Sequence, residues 1–308
     1  MCFSEKLSRE DRECIRREWR DNPLINSSHD FGRNYRISFS DTQKNFKWLY
    51  LPKDSIVSPE ILLVVTSRHD NLARRNLLRK TWMRNNSDNG IGRIRSLFLI
   101  GLGRNSDMKT REIVLKEAEL YDDMIVADLE DTYEGLVYKS LSLLLYAVSK
   151  VPSARMIGKI DEDVMFFPNQ LISLIDQGVI ETDGNNIYGY IVEAGAPASK
   201  DYGAIKASKT SYGCRKYPEF LAGPIYLMTR TAAQGVVKAT KHRNFLVSED
   251  TLITGILAND VGAKRVQLPY LHMFPEAPKD IEERILAWHT KLENDHYLRF
   301  YEDRLQKI

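Results

Sequence analysis

No apolar run in this sequence is long enough to cross a bilayer. The longest stretches, Ile61 to Val65 and Leu141 to Val148, fall far short of the roughly 18 residues that a spanning helix needs. The N-terminus is polar and charged from Ser4 to Arg20, so it does not read as a secretory signal either. Either the chain is soluble or an N-terminal anchor precedes it. Cysteine is scarce: Cys2, Cys14 and Cys214 are the three, and none has the C-x-x-C spacing of a metal site. At most one bridge can form, and none is expected to be structurally essential. Neither sign of charge dominates. The 44 basic against 42 acidic groups leave a net +2, which excludes the strongly basic footprint of a nucleic-acid-binding protein. Low-complexity tracts and fixed-period repeats are also missing, which excludes solenoids and propellers.

What remains is ordinary globular material: 308 residues, 43% hydrophobic and 28% charged, enough to bury a sizeable core. Residues 1–55 are charged and without clear periodicity. They read as an N-terminal arm or stem with one short helix near Glu5 to Trp19. From Ile61 onward apolar strands alternate with helices. Strands are expected at 61–65, 95–101, 124–128 and 154–160, with helices at 71–82, 109–121 and 136–148 between them. That order predicts βαβ units and a largely parallel sheet. Further strands are expected at 187–191 and 225–228, helices at 232–241 and 249–258, and a broken amphipathic helical region at 279–305. Two glycosylation sequons, at Asn26 and Asn85, weakly favour a secretory route.

Ligands of open α/β sheets sit beyond the carboxyl ends of the strands. There the chain carries Asp161-Glu162-Asp163, between two apolar runs. Adjacent carboxylates repel one another unless a cation neutralises them. In extended geometry Asp161 and Asp163 face one side and Glu162 the other, which suits a hard divalent ion with positions left for phosphate oxygens. The plain alternative is a solvated acidic turn. Glu249-Asp250 opens a later helix. Ser248 as a cap and a favourable dipole explain these residue types, and the functional rival is Asp250 as a catalytic base. His272 stands in an apolar segment, where it is either a hydrogen-bonded core histidine or the imidazole that completes a metal site. Arg75 and Arg79 share one helix face and can meet either a diphosphate or an acidic residue of the fold.

Together these pieces resemble glycosyltransferase family 31, the β-1,3-galactosyl- and N-acetylglucosaminyltransferases. Val65-Thr66-Ser67 followed by Arg75-x-x-x-Arg79-x-Thr81-Trp82 looks like the family's first strand and helix. Phe98-Leu99-Ile100-Gly101 is similar to its second strand. Asp128-x-x-Asp131-x-Tyr133-x-x-Leu136-x-x-Lys139, then Lys159-x-Asp161-Glu162-Asp163, then Tyr217-Pro218-x-x-x-x-Gly223-x-x-Tyr226, then Glu249-Asp250 with Gly255, follow in the family's order. There are departures. Leu221 stands where the family often has a cysteine, so that disulfide is absent, and Gly135 replaces the usual Asn.

The resemblance implies a GT-A type, Rossmann-like α/β fold, its mostly parallel central sheet flanked by helices. The transferase domain would span residues 56–275, with a C-terminal helical extension at 276–308. It implies an inverting, metal-dependent hexosyltransferase that moves galactose or an N-acetylhexosamine from a UDP-sugar to an acceptor sugar hydroxyl on a glycoprotein or glycolipid, in the Golgi lumen. Asp161, Asp163 and His272 would hold Mn²⁺, which suits a mixed carboxylate and imidazole shell. Asp161, Glu162, Arg75, Arg79, Asp131 and Lys139 would surround the nucleotide sugar, and Asp250 would be the base. A metal-dependent phosphohydrolase, or an inactive binding protein on the same fold, are the rival readings.

Overall fold

The computed structural model describes residues 7–20, 35–53, 58–84, 92–103, 106–196, 212–276 and 284–305. Cys2 and both sequons, at Asn26 and Asn85, lie outside the described residues. Four strands build the centre: β4 (Ile61–Ser67), β5 (Ile94–Gly101), β6 (Met124–Ala127) and β7 (Met156–Asp161). β7, β4, β5 and β6 are parallel neighbours in that order. All seven residues of β4 are buried, and the pleat divides them. Ile61, Leu63 and Val65 enter one apolar core, whereas Leu62 and Val64 enter the other. A sheet covered on both faces is what a continuous apolar strand requires.

The first core holds α4 (Leu136–Lys150) and α6 (Arg230–Ala239). On the other face lie α2 (Leu72–Lys80), α3 (Met108–Tyr121), α5 (Pro168–Asp176) and α7 (Asn294–Leu305). The α3 helix starts at an N-cap, Asp107, whose carboxylate accepts from the Thr110 amide at 2.9 Å. It stops at Asp122, in the left-handed region at φ 52°.

Antiparallel pairings border this parallel core on both sides. β10 (Phe220–Thr229) pairs antiparallel with β7 and with β9 (Asn186–Val192), and a parallel pair, β9 with β11 (Lys264–Gln267), ends that flank. At the opposite edge β3 (Trp48–Tyr50) pairs antiparallel with β6. It follows a hairpin of β1 (Tyr35–Ser38) and β2 (Gln43–Phe46). Three strands therefore form inside the segment expected to be an irregular arm. They are three or four residues long, too short for a period to register, and are held by tertiary contacts such as Trp48 edge-on to Phe46 at 5.0 Å. The segment does contain a helix, α1 (Arg9–Arg20).

A second correction concerns the C-terminal region. The expected broken helix contains β13 (Ala287–His289) before α7. β13 pairs antiparallel with β8 (Val164–Phe166) and parallel with β12 (Leu271–His272). Its short apolar run, Ile285 to Trp288, is buried, and such a run does not distinguish strand from helix by periodicity alone. Because β8 directly follows the acidic triplet, this small sheet brings His289 to the end of β7.

Candidate active site

The three acids at the carboxyl end of β7 diverge. Register places Thr66 opposite Asp161, and the Thr66 hydroxyl donates to Asp161 Oδ1 at 2.6 Å. The Lys159 ammonium reaches the same oxygen at 2.7 Å. Glu162 turns to the loop after β4, where Ser67 Oγ, Asn71 Nδ2 (2.8 Å) and the Arg68 amide donate to it. Asp163 faces β13. Its Oδ2 lies 3.2 Å from His289 Nε2, and the Thr290 amide donates to its backbone carbonyl at 3.1 Å. Its Oδ1 is buried and has no hydrogen-bond partner among the described residues. The hydrogen bond to Asp163 holds the His289 imidazole above its ordinary pKa, with burial opposing.

An orphaned buried carboxylate oxygen beside an imidazole fits a divalent cation. Asp163 and His289 would supply two protein ligands, which suits an ion whose remaining positions are filled by substrate phosphates and water. The expected trio of Asp161, Asp163 and His272 does not form, since among the described residues no three His, Cys, Asp or Glu side chains converge as a metal-ligand group. His272 is half-buried on β12, in register with Trp288. The imidazole the structure brings to Asp163 is His289. It was legible in principle, since it too ends an apolar run, but nothing local distinguished it from His272.

The basic residues of α2 act as struts. Arg75 is buried, and its guanidinium forms a fork on Glu117 at 2.8 and 2.7 Å. It also donates to Ser67 Oγ (3.2 Å) and to the carbonyls of Arg68 and His69. Arg79 forms a fork on Asp123 at 2.8 and 2.9 Å and reaches Glu117 at 2.8 Å. Of the two alternatives for these arginines, an acidic residue of the fold is the partner present in this structure, Glu117 for both and Asp123 for Arg79. Lys139 and Asp131 support the same loop. Lys139 Nζ donates to the Ser67 carbonyl at 2.7 Å and to Asp131 at 2.8 Å. Asp131 in turn accepts from the His69 amide at 2.9 Å. Burial pushes the Asp131 carboxyl up, but Lys139 and the His69 amide outweigh it and leave its pKa below the ordinary value. The loop after β4 is therefore clamped from behind by buried charges, which is how a site is held rigid before its ligand arrives.

The second acid pair lies across Lys159. Asp250 caps a π-helical segment, Thr251–Leu257, a form enriched at functional sites. Ser248 Oγ and the Thr251 amide donate to its Oδ1 at 2.9 and 2.8 Å. Oδ2 lies 3.6 Å from where a Cβ at Gly223 would stand. Gly255 allows the helical segment to approach β10, because a Cβ there would meet Phe220 Cβ at 3.0 Å. Glu249 is buried and accepts from the Tyr226 hydroxyl at 2.7 Å. Burial pushes its carboxyl above the ordinary range despite Lys159.

Comparison with known proteins gives the family. The sequence model of the galactosyltransferase family matches residues 73–269, more than half of the chain. The β-1,3-galactosyltransferase bre-2 of Caenorhabditis elegans is 47% identical over 306 residues, 97% of this chain and 85% of that protein. The chain belongs to the galactosyltransferase family. A more distant relative of this galactosyltransferase-family chain is the lactosylceramide 1,3-N-acetyl-β-D-glucosaminyltransferase of Mus musculus, 24% identical over 82% of this chain and 67% of that protein. Among solved structures, a glycosyltransferase involved in glycosylation of the major capsid of PBCV-1 is 13% identical, with a TM-score of 0.43 over 79% of this chain and 100% of that one. The chain is a glycosyltransferase, and the acidic triplet of this family member stands at the carboxyl end of a central strand.

Proposed function

We propose that this enzyme transfers a hexose, galactose in the first instance and otherwise an N-acetylhexosamine, from a UDP-sugar to an acceptor sugar hydroxyl, forming a β-1,3 linkage with inversion. The single observation that carries the reading is the buried, unpartnered Asp163 Oδ1 beside His289, across the Lys159 network from Asp250. Galactose comes first because bre-2, named a β-1,3-galactosyltransferase, is 47% identical. Asp163 and His289 would hold Mn²⁺, which supplies a Lewis acid for the diphosphate leaving group when bound. Asp161 keeps one oxygen occupied by Thr66 and Lys159 and leaves the other for the donor. Glu162 fixes the loop after β4 against the triplet.

Asp250 acts on the acceptor. The acceptor oxygen forms a bond to the anomeric carbon as the carbon–phosphate oxygen bond breaks. The acceptor proton passes to Asp250 Oδ2, and UDP leaves with the bonding electrons. The missing side chain at Gly223 leaves that carboxylate oxygen uncrowded, since a Cβ there would stand 3.6 Å from it. The acceptor is a glycan of a glycoprotein or glycolipid, and the setting is the Golgi lumen. A disulfide between Cys14 and Cys214 supports an oxidising compartment. No helix among the described residues is long and apolar enough to cross a membrane.

The test is calorimetric titration of UDP with Mn²⁺ and with EDTA, on wild type, Asp163→Ala and His289→Ala, followed by a screen of UDP-sugars for acceptor-dependent product. Metal-dependent binding lost in both variants supports the assignment. Donor consumption that proceeds equally without acceptor would make the protein a hydrolase.

A further inference from the structure

Lys159 is a cation in the middle of the sheet. It lies on β7 in register with Val64 of β4 and Tyr226 of β10, and it is 1% exposed. An apolar residue would fill that place at less desolvation cost, and buried ion pairs replaced by packed apolar groups are often no less stable. Its presence there calls for a reason other than packing.

The ammonium has three donors, and each faces a different part of the site. One goes to Asp161 Oδ1 at 2.7 Å, on the donor side. A second goes to the Gly223 carbonyl at 2.7 Å. The third direction faces Glu249 Oε2 at 4.0 Å, the neighbour of Asp250. The Gly223 contact falls where the sheet is irregular. β10 pairs with β9 at residues 220–221 and again at 226–228, with a register shift between, and with β7 only from Ile225 onward. Residues 222–224 therefore lie outside both ladders, and a side chain rather than a neighbouring strand supplies the donor to Gly223. A bulge re-aims the chain locally, and this one forms the wall beside Asp250. A Cβ at Gly223 would stand 3.6 Å from Asp250 Oδ2 and 3.7 Å from Glu249 Oε2.

We propose that Lys159 is a positioning residue that couples the two halves of the reaction, fixing the donor-side Asp161 and the Gly223 bulge at a set distance so that Asp250 meets the acceptor hydroxyl behind the departing diphosphate. The proposal rests on the transferase reading above. Lys159 touches neither the sugar nor the transferred proton; it acts through Asp161 and through the bulge. Its loss therefore misaligns the acceptor wall more than the metal–diphosphate contacts of Asp163 and His289.

The experiment measures kcat, donor KM and acceptor KM for wild type, Lys159→Met and Lys159→Arg, with the stoichiometry of UDP–Mn²⁺ binding by calorimetry as the count of folded sites and its affinity as the donor-site readout. Lys159→Met is expected to lose about 100-fold in kcat, the scale of an ångström of misplacement, while donor affinity stays within about threefold. Lys159→Arg keeps the charge but not the length. It tests position even if the Met variant does not fold, and is expected to lose at least about tenfold in kcat with UDP binding retained. Wild-type kcat in either folded variant overturns the proposal. So does a loss of UDP affinity as large as the loss of kcat, which would make Lys159 a support of the donor site alone. Absence of acceptor-dependent turnover in the wild type overturns the transferase reading itself, and this inference with it.

Discussion

Glu249 and Asp250 are neighbours in sequence with opposite surroundings. Asp250 turns one oxygen to Ser248 and Thr251 and the other toward Gly223. Glu249 is 4% exposed and locked to Tyr226. On the proposed mechanism Asp250→Asn lowers kcat by about 10² to 10⁴ and leaves UDP–Mn²⁺ affinity unchanged, which steady-state kinetics beside calorimetry would check. Glu249 carries a different signature. Burial raises its carboxyl above the ordinary value of 4.5, so the folded protein retains a proton that the unfolded chain releases. The stability from that proton is fully present below 4.5 and is lost as pH rises through the raised value. Glu249→Gln removes this slope. Its stability relative to wild type should increase with pH across that window, read from urea unfolding over a pH series. A constant difference would show that Glu249 ionises in the fold as it does in the open chain.

Charged residues join elements as firmly as apolar ones do here. Glu117 of α3 takes Arg75 and Arg79 of α2, and Arg79 continues to Asp123 after α3. Removing one member leaves buried charge without a partner, so Glu117→Ala should cost about 3–5 kcal/mol in denaturant unfolding. It should also loosen the loop after β4, because Arg75 supports that loop's carbonyls. The sequence showed that Arg75 and Arg79 share a face. It did not show that Glu117, 42 residues away from Arg75, would occupy both, since partner choice follows from strand order. The strands β4 to β7 were legible because each is an apolar run bounded by polar turns. The strands β1, β2, β3 and β13 were not, because β1 and β2 mix polar with apolar residues over four positions, and β3 and β13 are three residues long with no helix–strand alternation around them to mark them.

One covalent link joins parts of the chain that are far apart in sequence. Cys14 and Cys214 are joined with their Cα atoms 5.8 Å apart, across 200 residues of sequence, contrary to the expectation that no cysteine matters structurally. The bridge ties α1 to the segment that enters β10 through Tyr217, which is buried. Closing so long a loop restricts the unfolded chain, and Cys14→Ser should lower stability by about 2–4 kcal/mol. Thermal unfolding with and without reductant checks this: reductant should bring the wild type down to the variant and leave the variant unmoved.

The sequence by itself determined the alternation of strands and helices, the acidic triplet at a strand's carboxyl end, the Glu249-Asp250 pair at a helix start and the family pattern that joins them. These are local features, written in runs of a few adjacent residues. Only the tertiary structure decided that His289 is the imidazole at Asp163, that Glu117 takes both arginines and Arg75 braces the loop after β4, that Lys159 sits between two acidic groups, and that Cys14 finds Cys214. Each of those pairings depends on which strands become neighbours, and burial of apolar faces over the whole chain sets that order.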